Sequence, residues 1–119
     1  MVDPKSNFDL EKRTTDFAIR IVKLCRSVPR DPINDRITGQ LVGSAGSMGA
    51  NYREANDPLG KKDFLQRLRI TRKEAKESIH WLTLLRHAND KKFYQEIDVC
   101  LKEASELKNI FSAIISKCE

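Results

Sequence analysis

The sequence predicts an all-α protein, an antiparallel up-down-up-down four-helix bundle, and three observations point to it. Apolar residues recur at i, i+3, i+4 and i+7 through four long segments. Short breaks rich in Pro, Gly, Asn and Asp separate those segments, and the alternating pattern of a half-buried strand is nowhere sustained. Composition agrees, with 33% charged and 7% aromatic residues and only 5 Gly and 4 Pro in 119 residues. A chain of that length holds one core, so residues 1–119 read as one domain.

The first helix is expected over about 9–28, where Leu10, Phe17, Ile21, Leu24, Cys25 and Val28 share a face and Pro29 and Pro32 stop it. Asp31 followed by Pro32 is a cap and first turn for a second helix over about 33–55. The run Asn56-Asp57-Pro58-Leu59-Gly60 has turn chemistry at nearly every position. A third helix, about 61–87, aligns Phe64, Leu68, Thr71, Ala75, Ile79 and Leu82. After the short link Ala88-Asn89-Asp90, a fourth over about 91–117 presents Phe93, Ile97, Cys100, Leu101, Ala104, Leu107, Phe111, Ile114 and Ile115. Short links make neighbouring helices antiparallel, which is the reason for the up-down topology.

The second helix carries an unusual surface. At 100° per residue, Gly39, Gly43, Gly46 and Ala50 fall within about 60°, opposite Ile37, Leu41, Met48, Tyr52 and Ala55. Each helical glycine costs about 0.5–1 kcal/mol relative to alanine, so a close helix contact is the expected compensation. On the third helix Ile70, Trp81 and Leu84 lie off the core line, and a Trp, an Ile and a Leu on one strip suit a partner. Two different surfaces on one chain make a head-to-tail contact, which closes into a ring where the rotation permits. The alternative is that Trp81 covers the end of the bundle.

Charge is concentrated on the same helix. The formal net charge is +5, and residues 61–90 hold 8 basic and 4 acidic side chains of the 22 and 17 in the chain. Lys62, Arg69, Arg72, Lys73, Lys76 and His80 fall within a sector of about 100°, a stripe about 25 Å long that suits a run of phosphates. A solvated face serving solubility is the competing reading. Aromatic residues do not interleave the stripe, which argues against sequence-specific single-strand recognition.

Catalysis and cofactors find little support. Ser47, Asn51 and Glu54, at i, i+4 and i+7, read as a polar line that hydrogen-bonds between helices and fixes their register. His80 and His87 lack the carboxylate spacing of a metal site, the paired Glu-x-x-His motifs of di-metal bundles are missing, and no P-loop, dinucleotide fingerprint or glycine elbow occurs. No catalytic residue, metal or cofactor is therefore assigned. Cys25, Cys100 and Cys118 are odd in number and widely spaced, as expected of reduced thiols in a cytoplasmic protein. No apolar run approaches ~18 residues, so neither a signal peptide nor a membrane span is expected.

The stretch Ser47-Met48-Gly49-Ala50-Asn51-Tyr52-Arg53-Glu54-Ala55, then Lys61-Lys62-Asp63-Phe64-Leu65 and Leu68-Arg69-Ile70-Thr71-Arg72-Lys73-Glu74-Ala75, resembles the four-helix bundle proteins also called intervening-sequence proteins of 23S ribosomal RNA. Glu77-Ser78-Ile79-His80-Trp81-Leu82 matches the acidic residue and leucine run that follow in that family. The likeness covers about residues 10 to 115. Met48 and Tyr52 depart from the usual branched aliphatics, and Ala55 stands where many members have Gly. The resemblance implies a small antiparallel bundle with relatives that form pentameric barrels. It also implies a kinship to the accessory variability protein of diversity-generating retroelements, which binds nucleic acid and a reverse transcriptase through a positive surface. On this chain the implied nucleic-acid site is Lys62, Arg69, Arg72, Lys73 and Lys76, with Arg53 as an outlying candidate.

Overall fold

Four helices account for almost the whole chain in the computed structural model, which describes the backbone of residues 4–119 and the side chains from Leu10 onward. Helix α1 spans Pro4–Ser27, α2 Pro32–Ala55, α3 Lys61–Ala88 and α4 Tyr94–Cys118, and no strand occurs among the described residues. Helix α1 begins ahead of the expected Asp9, with proline at its first position, where the missing N–H removes no helical hydrogen bond. Helix α4 begins later than expected because Lys91–Phe93 form a single 3-10 turn that leads into it.

Local chemistry sets each break. The Asp31 carboxylate accepts the Asn34 N–H at 2.8 Å, with Pro32 in the first turn of α2. Past Ala55 the chain leaves the helix through Asn56 and Asp57, whose N–H groups still bond to the Tyr52, Arg53 and Glu54 carbonyls. Gly60 then takes φ +125°, a conformation other residues rarely adopt, and the chain enters α3.

The apolar faces meet in one core. Phe17, Ile21, Leu41, Met48, Tyr52, Leu68, Leu82, Ile97, Leu107, Phe111 and Ile115 are essentially sealed from solvent. Met48 and Tyr52 fill it where branched aliphatics are usual, and the Tyr52 ring lies tilted on Phe111 with centroids 5.6 Å apart. Burying a side chain of this size contributes about 1.5–3 kcal/mol against the cost of ordering it.

Polar pairs join α2 to α3 and its C-cap. Asn34 meets Asn89, Ser44 meets Ser78, Ser47 meets Glu74 and Asn51 meets Arg67. Asn34 and Asn89 exchange two amide hydrogen bonds of 2.9 Å, and their remaining donors reach the Pro29 and Leu85 carbonyls. That arrangement ties the end of α3 to the loop before α2. Arg13 reaches Glu103 and Glu106, and Arg20 reaches Glu96, joining α1 to α4. Helix α1 comes closest to α2 at Gly49, where a Cβ would sit 3.2 Å from the Thr14 hydroxyl. Gly49, rather than the three glycines on the outer face, is the one that admits a neighbouring helix within the chain.

Candidate nucleic-acid interface

The buried positions Phe64, Leu68, Thr71, Ala75, Ser78, Leu82 and Leu85 fix how α3 is rotated, and its basic residues follow from that. Lys62, Lys73, Lys76 and His80 emerge exposed on the outward face, with Gln66 and Leu84 beside them. None of the three lysines pairs with a carboxylate among the described residues. The other two predicted cations are held differently. Arg69 donates to the Glu119 carboxylate at 2.9 Å, and Arg72 is half-buried at the edge of the stripe.

Arg53 does not join them. It lies on the α1 side of α2, donating to the Glu11 carboxylate at 2.8 Å and to the Thr15 hydroxyl at 3.1 Å. Reach along the sequence suggested proximity to the stripe, but helix rotation separates the two. Its charge is also already met by Glu11.

The expected polar line holds in part and is corrected at one end. Asn51 donates to the Ser47 hydroxyl at 3.1 Å, and Ser47 donates to Glu74 at 3.1 Å. Arg67 donates to the Asn51 carbonyl oxygen at 3.1 Å and lies 3.8 Å from Asp63. Glu54 is exposed and makes no hydrogen bond in this network: helical spacing puts it within about 20° of Ser47, but it lies in the last turn of α2, beyond the Asn51–Arg67 pair. Arg67 and Glu74, which periodicity alone left off both candidate sets, supply the charged ends instead. The i, i+4 spacing of Asp63 and Arg67 was the signal that could have found them. Ser44 and Ser78, fully inside, also share a hydrogen bond of 2.9 Å that the sequence reading did not anticipate.

The oligomer candidates split in the same way. Gly39, Gly43, Gly46 and Ala50 are exposed, and a Cβ at any of the three glycines would meet nothing within 4 Å. Gly39, Gly46 and Ala50 line grooves between α1 and α2 with Ile19, Val22 and Val42, which stay 48%, 40% and 39% exposed. Leu84 is likewise exposed, Ile70 is half-buried, and Trp81 leans onto the edge of the core with His80 edge-on at 4.9 Å. The Trp81 indole N–H is shielded from solvent and meets no acceptor.

Among the described residues no cluster of His, Cys, Asp or Glu is placed to hold a metal ion, and no helix is long and apolar enough to cross a membrane. Burial pushes the Cys25 thiol up to about 11 and the Cys100 thiol up to about 12, so neither is a ready nucleophile.

The sequence pattern of the 23S rRNA-intervening sequence protein family matches residues 6–113. The chain belongs to that family. Its fold is similar to a crystal structure of a protein of unknown function from the S23 ribosomal protein family of Bacteroides thetaiotaomicron VPI-5482. The two share 27% identity and a TM-score of 0.78, over 92% of this chain and 97% of that one. Comparison with curated proteins gives no match. Neither description names a catalysed reaction, so an account of this intervening-sequence protein rests on its surfaces.

Proposed function

We propose that this intervening-sequence protein binds structured RNA or DNA in the cytoplasm through backbone phosphates, with little base specificity, and that it has no catalytic role. The observation that carries the reading is the outward face of α3, where Lys62, Lys73 and Lys76 project without carboxylate partners among the described residues. Exposed ammonium groups on one helix face neutralise successive phosphates and release their counterions. We read the bundle as antiparallel and up-down-up-down; the paired residues of α2 with α3, and of α1 with α4, support that topology.

The reading includes self-association. A copy's α3 shoulder, with Ile70, Trp81 and Leu84 flanked by Glu77, faces the α1–α2 groove of the next copy, where Gly39, Gly43, Gly46 and Ala50 leave room for a helix. Head-to-tail contact of two unlike surfaces closes into a ring, and the family resemblance favours five copies. A ring multiplies one short stripe of charge into several.

A scaffold of the same fold with no nucleic-acid role, in which the basic stripe of α3 meets an acidic surface of a protein partner, is the second reading, with a reverse transcriptase as one candidate partner. Anisotropy titration with ribosomal RNA fragments at low salt separates the two: binding that weakens steeply with salt supports the first, and no binding at low salt refutes it. Light scattering tests the ring. Wild type is expected to exceed the mass of one chain and Trp81→Ser to fall toward it, whereas one-chain mass in both removes the ring.

A further inference from the structure

Leu59 is the most exposed large apolar side chain among the described residues, at 93%. A solitary exposed leucine is ordinary, but the way this one is held is not loop-like. The preceding N–H groups of Asn56 and Asp57 are tied to α2, Pro58 fixes φ on one side and Gly60 turns the chain on the other. The Leu59 N–H itself donates to the Asp63 carboxylate at 3.1 Å. The turn therefore holds the backbone at Leu59 in place and projects its side chain into solvent.

Cations outnumber anions around Leu59. Lys61 and Lys62 follow Gly60 and are exposed, Asp57 precedes Pro58 and is also exposed, and Asp63 is occupied by the Leu59 N–H and lies beside Arg67. Leu59, Lys62, Asp63, Gln66, Arg67 and Ile70 line one open groove, and Lys73 and Lys76 stand exposed farther along the Lys62 face of α3. Along α3, Lys62 to Lys76 is about 21 Å at 1.5 Å per residue, the rise of about six base pairs. An apolar tip at the end of a phosphate track is the arrangement by which proteins unstack a base step and enter it.

We infer that Leu59 is a wedge that enters an unstacked step of bound nucleic acid, so that the protein prefers a duplex interrupted by a bulge over a continuous one. This rests on the phosphate-binding role proposed above for α3 and adds the structural class of the ligand. Lysines position the strand, and the leucine takes the apolar space that an interrupted stack leaves open. A protein groove would also accept a leucine, but the paired lysines beside it favour a polyanion.

Anisotropy titrations of wild type, Leu59→Asn and Leu59→Met with a short RNA duplex, continuous or carrying a central bulge, test this, with the same pair in DNA as a second arm. Wild type is expected to favour the bulged duplex about tenfold, the scale of burying part of one leucine side chain. Leu59→Asn is expected to lose that preference with an unchanged salt slope, and Leu59→Met to keep it. The exposure of Leu59 makes the fold insensitive to these changes, which circular dichroism would verify. Binding without preference for the bulge, or a preference that survives Leu59→Asn, overturns the wedge and leaves phosphate binding standing. Failure of every duplex to bind overturns both.

Discussion

Two triple variants separate a working phosphate track from a merely basic surface. The sequence pattern alone marks Arg69, Arg72 and Lys73 as equivalent members of the stripe, whereas the structure ranks them. Arg69 already donates to Glu119 and Arg72 is half-buried, while Lys62, Lys73 and Lys76 stand exposed. Each phosphate neutralised on a B-form duplex contributes about 0.9 to the slope of log K against log salt. Replacing Lys62, Lys73 and Lys76 by Gln should therefore flatten the slope by about 2.7, so that raising salt from about 50 to about 200 mM costs about 40-fold less affinity than in wild type. The triple change at Arg69, Arg72 and Lys73 should flatten it by visibly less, because Arg69 must first give up an anion it already holds. The assay is an anisotropy titration of one duplex at four salt concentrations. Equal slopes for wild type and the Lys62, Lys73, Lys76 variant, or a larger effect from the arginine set, would refute the assignment of the track to the exposed lysines.

Three further outcomes follow from the packing and the charges. Gly49→Val should destabilise the fold by about 1–3 kcal/mol in urea unfolding, since the space beside Thr14 is filled. Gly43→Ala, with open space beside it within one chain, should stabilise the monomer by up to about 1 kcal/mol when unfolding is followed at concentrations where light scattering gives one-chain mass, and equal effects at both positions would contradict the packing. Hydrogen bonding to Arg20 lowers the Glu96 pKa below its usual 4.5. A depressed folded-state carboxylate contributes stability that is complete above about pH 4.5 and is lost as pH falls through the lower folded value. Glu96→Gln should therefore flatten the acid limb of the unfolding midpoint, by less than about 1 kcal/mol because the pair is partly solvated. Cys25 and Cys100, raised to about 11 and about 12 by burial, should resist iodoacetamide at pH 8 in the folded protein and react on unfolding. Rapid native labelling of either would show that its site is open.

How far the chain could be read before its structure was known differs between fold and site, and the reason is geometric. Helix periodicity reports which residues point inward, so Phe17, Leu41, Leu68 and Phe111 were legible as core, and Pro29, Pro58 and Gly60 marked the breaks. Periodicity assigns an angle on one helix but says nothing of which neighbour lies at that angle. That is why Glu54 looked like a register residue and Arg53 like part of the stripe, while Glu74 and Arg67 hold the ends of the Ser47–Asn51 line and Arg53 faces Glu11. The same limit hid the rank order within the stripe, because the partner of Arg69 lies 50 positions away at Glu119. The glycines show it most directly. Sequence spacing grouped Gly39, Gly43 and Gly46 as a surface for close approach, yet the glycine that α1 meets is Gly49, on another side of the same helix. Among the described residues nothing lies within 4 Å of a Cβ built at any of these three, so no contact there offsets their cost in helix stability. The proposed ring would supply that contact: its α3 shoulder is the one surface in the reading that lies against this face, and the cost of the three glycines is then an argument for testing the groove of α1 and α2 by oligomeric state rather than by monomer stability.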